Sequence, residues 1–164
     1  MFDIGDIIIY SVHGLCQIDD ISEQTIAGVT RTYYVMHPLG ETSLKISIPV
    51  DSDKVVMLKP MEKDVAEELI QTFKEPQAGW IEDAKQRSRK YMELVNTGDR
   101  DEIAKIANIL MRKSVEYKKN NKRLYDQDRS LLQMIQNILF KEMALSLETT
   151  VETIEERVNH MIEL

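Results

Sequence analysis

The chain has 164 residues, 43% of them hydrophobic and 30% charged, with a formal net charge of −7. That balance is typical of a folded protein, and no apolar run approaches the ~20 residues of a bilayer span. A lone cysteine, Cys16, excludes an internal disulfide and a cysteine-rich metal cluster, and the N-terminus carries an acid where a secretory signal is basic, so a cytoplasmic location is expected.

Residues 1–59 read as β structure. Gly5-Asp6 opens the β-branched run Ile7-Ile8-Ile9-Tyr10, and His13-Gly14 punctuates it. A second run extends from Leu15 to Ile26, Ala27-Gly28 has the composition of a hairpin tip, and Val29 to His37 returns. Pro38-Leu39-Gly40 turns the chain into Leu44-Lys45-Ile46-Ser47-Ile48. There the aliphatics alternate with Lys45 and Ser47, which places those two on the outer face. Val55-Val56-Met57-Leu58 is the last strand expected. Five short strands bounded by turn residues predict a small barrel of the SH3 or Tudor kind.

After Pro60 the apolar period changes from 2 to 3.6. Val65, Leu69, Ile70 and Phe73 stripe a first helix, and Glu75-Pro76-Gln77-Ala78-Gly79 reads as a linker or hinge. A second helix is expected from about Trp80 to Asn96, with Trp80, Ala84, Tyr91 and Val95 near one face. Gly98 suits its left-handed cap, and Asp99 the N-cap of a third helix carrying Ile103, Ile106, Ala107, Leu110 and Tyr117. Asn120-Asn121 breaks that helix. A fourth is expected from about Gln127 to Ala144, and Thr149 with Glu152 matches a capping box for a fifth. The reading is α+β: a small barrel over residues 1–60 followed by an all-helical domain over 61–164.

The charge is unevenly placed. Residues 80–123 hold twelve Lys and Arg against seven acids, a local +5 in an acidic chain. Such a surface calls for a polyanionic partner, or else is a solvated face with pairs such as Arg89 and Glu93. Trp80 is either a core anchor or a ring that stacks on or wedges into DNA, with Lys85, Arg87 and Arg89 holding phosphates. Elsewhere the chemistry is thin. His13, His37 and His160 lack metal-ligand spacing, Ser11, His13 and Cys16 lack an orienting acid, and no phosphate-binding glycine loop occurs. Met111, Met134, Met143 and Met161 fit core filling. No enzyme, cofactor, metal or small-molecule substrate is expected.

An ordered set of motifs resembles the CarD/CdnL family of bacterial transcription regulators. It comprises Phe2, Gly5-Asp6, Ile8-Ile9-Tyr10, His13-Gly14, Gly28, Tyr34-Val35 and Leu44 to Val50, then Trp80, the basic helix, Tyr91-Met92-Glu93 and Thr97-Gly98-Asp99. The resemblance implies a Tudor-like domain that docks on the RNA polymerase β subunit. It also implies a helical domain that contacts promoter DNA weakly in the minor groove, at the upstream edge of the −10 region, and stabilises the open complex. On that basis the polymerase contacts are Gln24, Lys45, Ser47 and Pro49, with Gln24 standing where some relatives have an arginine. The DNA contacts are Trp80, Lys85, Arg87 and Arg89, with Trp80 displaced about one helical turn upstream of the family's tryptophan. Such a factor would join the nucleoid through polymerase. The alternative is a protein–protein adaptor with no DNA contact.

Overall fold

The period-2 stretches form one antiparallel sheet of five strands: β1 (Ile7–Tyr10), β2 (Gly14–Ile26), β3 (Val29–Pro38), β4 (Ile46–Pro49) and β5 (Met57–Leu58). The computed structural model describes residues 1–10, 14–53 and 57–163. The turn expected at His13, with Ser11, and the Val55-Val56 half of the last strand therefore lie outside the described residues.

The register explains the sheet's one apolar face. Ile8 lies across from Cys16, Ile18 from Met36, Tyr34 from Ile48 and Met36 from Ile46, so the alternating sets of neighbouring strands coincide. These side chains form the core of the sheet, joined by Phe2, Ile21, Val50 and Met57. A bulge between Ile18 and Asp20 inserts Asp19, whose carboxylate lies 2.7 Å from His37 Nδ1. At the far end Ala27 (φ 52°) and Gly28 (φ 79°) are both left-handed, the requirement of a two-residue turn between paired Ile26 and Val29.

The expected barrel does not close. Strand order is β4-β3-β2-β1-β5, and no ladder joins the two outer strands among the described residues. Closure requires a β4–β5 ladder, and among the described residues the two-residue β5 pairs only with β1.

The chain divides into two compact units, Met1–Pro60 and Met61–Leu164, and is α+β. The regular elements in the described part of the second unit are helices, joined by loops: α1 (Lys63–Gln71), α2 (Ala84–Asn96), α3 (Arg100–Lys119), α4 (Asp126–Ile135), α5 (Lys141–Ser146) and α6 (Val151–Glu163). A 3₁₀ turn (Thr72–Lys74) extends α1, and a π-helical turn (Gln136–Phe140) joins α4 to α5. The core takes Leu69, Ile70 and Phe73 from the first helix, whereas Val65 is 44% exposed. Tyr91, Val95, Leu110, Ile135, Phe140, Met143, Ile154 and Val158 complete its centre.

Caps set the helix limits. Asp83 accepts the Gln86 N–H, so α2 starts at Ala84 and Trp80 lies in the preceding loop, four residues later than the sequence suggests. Asp99 caps α3 by accepting from Asp101 and Glu102, and Gly98 is left-handed at φ 75°, both as expected. Thr150, and not Thr149, caps α6: its hydroxyl accepts the Thr153 N–H at 3.2 Å. No helix among the described residues is long and apolar enough to cross a membrane.

Candidate functional site

Two surfaces carry the residues singled out above. The first is the outer edge of β4. This strand pairs with β3 through Tyr33–Pro49, Tyr34–Ile48, Val35–Ser47 and Met36–Ile46, and stands last in the sheet order. Ile46 and Ile48 pack against the sheet core, Lys45 and Ser47 are exposed, and Pro49 is half-buried. An edge strand presents backbone donors and acceptors to a partner strand, and a proline limits how far such pairing can run. Gln24 is elsewhere, on the outer part of the β2–β3 hairpin, directly across from the exposed Arg31.

The second surface surrounds Trp80, in the segment read as a hinge. Side chains strap that segment to the helical unit. Asn108 donates to the carbonyls of Thr72 and Glu75, and Arg112 to those of Phe73 and Lys74. The Tyr91 hydroxyl donates to Gly79 O at 2.7 Å, and burial lifts that phenol above its ordinary range. Gly79 sits at φ +127°, where an L side chain is strained, and an added Cβ would lie 3.4 Å from Ile109. The hinge reading thus gives way to a clamped loop that fixes the position of Trp80.

Arg87 is the centre of this site and is not on the surface. It is 2% exposed. Its Nε and Nη2 meet Asp128 at 3.0 and 2.6 Å, while Nη1 donates to the carbonyls of Ile81 and Glu82 at 2.7 and 3.2 Å. The hydrogen bonds to Asp128 push its pKa above the usual guanidinium value. Its guanidinium carbon stands 4.1 Å from the Trp80 ring centroid and 5.7 Å from that of Tyr125. Lys113 Nζ also lies over Trp80 at 5.0 Å, and Tyr117 meets the indole edge-on at 6.3 Å. Trp80 itself is half-buried against the helical core.

Sequence grouped Trp80, Lys85, Arg87 and Arg89; the fold separates them into two pairs. Trp80 and Arg87 meet, although not through a shared helix face. Lys85 and Arg89 are one turn apart on the solvent side of α2, about 160° around the axis from Arg87. Both are exposed, and neither enters an ion pair among the described residues. The Arg87 donors are engaged by Asp128 and two carbonyls, an arrangement that disfavours the phosphate contact expected of it.

Sequence reasoning passed over Asp128, Lys113, Tyr117 as a ring partner, and Tyr125. Asp128 had a legible signal: it falls three residues before Leu131 and in phase with Ile135, an acid on an apolar stripe. Arg87 holds the matching position between Ala84 and Tyr91 on α2. Opposite charges in apolar phase on two amphipathic helices point to a buried pair. No comparable signal marked the ring cluster, whose members come from a loop and three helices.

No group of three or more metal-ligating side chains occurs among the described residues. The family models match both units. The CarD-like/TRCF RID domain covers residues 2–61, and the CarD C-terminal domain covers residues 68–159. With both models matched in order, the second over more than half of the chain, this protein belongs to the CarD-like family of RNA polymerase-interacting transcription regulators.

Proposed function

We propose that the sheet unit binds the β subunit of RNA polymerase and that the helical unit contacts promoter DNA, prolonging the open complex. The observation that supports the first contact best is the outer edge of β4, unpaired among the described residues, with Lys45 exposed just before it, Ser47 exposed on it and Pro49 ending it. Arg31, across the ladder from Gln24, supplies there the cation that Gln24 lacks. Lys45→Glu is expected to weaken binding of the full chain to a β-subunit fragment at least tenfold without changing its melting temperature. Unchanged affinity in both Lys45→Glu and Pro49→Ala removes the surface.

On the DNA side the phosphate contacts are Lys85 and Arg89, and Trp80 with Arg87 holds the surface in shape. DNA affinity of the free protein is expected to be weak, because two contacts act within an acidic molecule. Neutralising both with Gln should lower the log–log salt slope of the polymerase–promoter complex by about 1.8. The minor groove at the upstream edge of the −10 region is the expected place of contact.

The engagement of Trp80 by Arg87, Lys113 and Tyr117 favours a second reading, an adaptor whose helical unit binds protein. Open-complex half-life on a linear promoter separates the two. An adaptor leaves it insensitive to Lys85 and Arg89.

A further inference from the structure

We infer that the ring this protein offers to an unpaired base is Tyr125 and not Trp80, an inference that rests on the DNA reading above. All ten aromatic residues of the chain are described, and Tyr125, at 59% exposure, is the one in the exposed class. Trp80 is half-buried, and three side chains already occupy its surroundings. A base has little of that indole left to meet.

Tyr125 also stands where its side chain serves the fold poorly. It is the N-cap of α4 and makes no side-chain cap bond, while Asp83, Asp99 and Thr150 cap their helices with side-chain oxygens. A ring at that position forgoes a capping contribution that serine or aspartate would give. Its place is nevertheless well defined. Arg87 lies 5.7 Å from the ring centroid and is held by Asp128, three residues further along the same helix. The exposed Lys122 and Arg123 come just before it in the chain. An exposed ring on a fixed support, with cations beside it, is the arrangement that stacks on single-stranded nucleic acid while cations track the backbone. A paired duplex offers no free base face, so the contact selects melted DNA.

The test uses the full chain with polymerase holoenzyme and two labelled promoter probes in the cold, where holoenzyme does not open paired DNA, one probe with a non-complementary melted stretch and one fully paired. Tyr125→Ser is expected to weaken recruitment to the melted probe by about 5- to 150-fold and to leave the paired probe unchanged. Tyr125→Phe should stay within about twofold on both, because stacking needs the ring and not the hydroxyl. Since serine caps a helix, Tyr125→Ser should melt at or above the wild-type temperature. Wild-type binding of the melted probe by Tyr125→Ser overturns the inference. So does an equal loss on both probes with a lowered melting temperature, which makes the ring structural. The Lys85→Gln, Arg89→Gln double variant separates the two levels. If it loses affinity on both probes while Tyr125→Ser does not, only the Tyr125 inference falls; if neither variant changes either probe, the DNA reading falls with it.

Discussion

A guanidinium at 2% exposure has lost its water, and Arg87 replaces it with Asp128, two carbonyls and two ring faces. Such a pair is not strongly stabilising against an apolar substitute, but removing one partner strands the other charge. Arg87→Ala is thus expected to cost about 3–5 kcal/mol in urea unfolding, and Asp128→Ala a similar amount. The double variant should lose less than the two together. A surface phosphate contact would show no such stability loss. The sheet unit carries a second residue-scale consequence at Cys16, fully buried, whose thiol burial pushes up to about 11. A group whose folded pKa is raised contributes stability that is complete below the unfolded value near 9 and is lost as pH climbs toward 11. The sheet should therefore weaken between those limits by up to about 2–3 kcal/mol, and the native thiol should resist alkylation at pH 8.5 until urea exposes it.

At the scale of elements, most of the architecture was legible because it is local. Period 2 over residues 7–58 and period 3.6 beyond Met61 reflect burial on one face, and Asp99, Gly98 and Ala27-Gly28 act through their own backbone geometry. What escaped was set by distant partners. The Glu75–Gly79 stretch has a hinge's composition, yet Asn108 and Arg112 from α3 and Tyr91 from α2 hold its borders. The barrel failed for a different reason: the strands that would close it, β4 and β5, are neighbours in the chain, but the two-residue β5 pairs with β1 and with no other strand among the described residues. The π-helical turn Gln136–Phe140 was also invisible, because a wider turn inside a helical run leaves that run's composition unchanged. Removing the exposed Asn137 should restore an α ladder and rotate all that follows by about 100°. Glu142, 2% exposed and bonded to Arg100 and to the Met61 N–H, would then turn from its partners. Loss of at least ~3 kcal/mol in unfolding free energy is expected, with helical circular dichroism nearly unchanged.

For the whole molecule, both units are acidic: residues 1–60 carry eight acids against four bases, and 61–164 carry twenty against seventeen. The positive stretch is a local feature of a repelling body, which suits the proposed recruitment to DNA through a partner rather than by the chain's own field. The two units also differ in how far their closing contacts reach along the chain. Every described strand of the sheet lies before residue 60, whereas Met61, the first residue of the helical unit, is held at its N–H by Glu142 and at its carbonyl by the Ser146 hydroxyl, 81 and 85 residues away. Synthesis imposes an order on this difference. At ~5–20 residues per second, about 4–17 s separate completion of the sheet's sequence from arrival of the residues that fasten Met61. Nascent chains arrested beyond the sheet but short of Ser146 should protect residues 1–60 from protease and leave the helical half open. During that interval the edge proposed to meet polymerase is born first, and a ribosome following close behind a transcribing polymerase presents it before the half proposed to meet DNA exists.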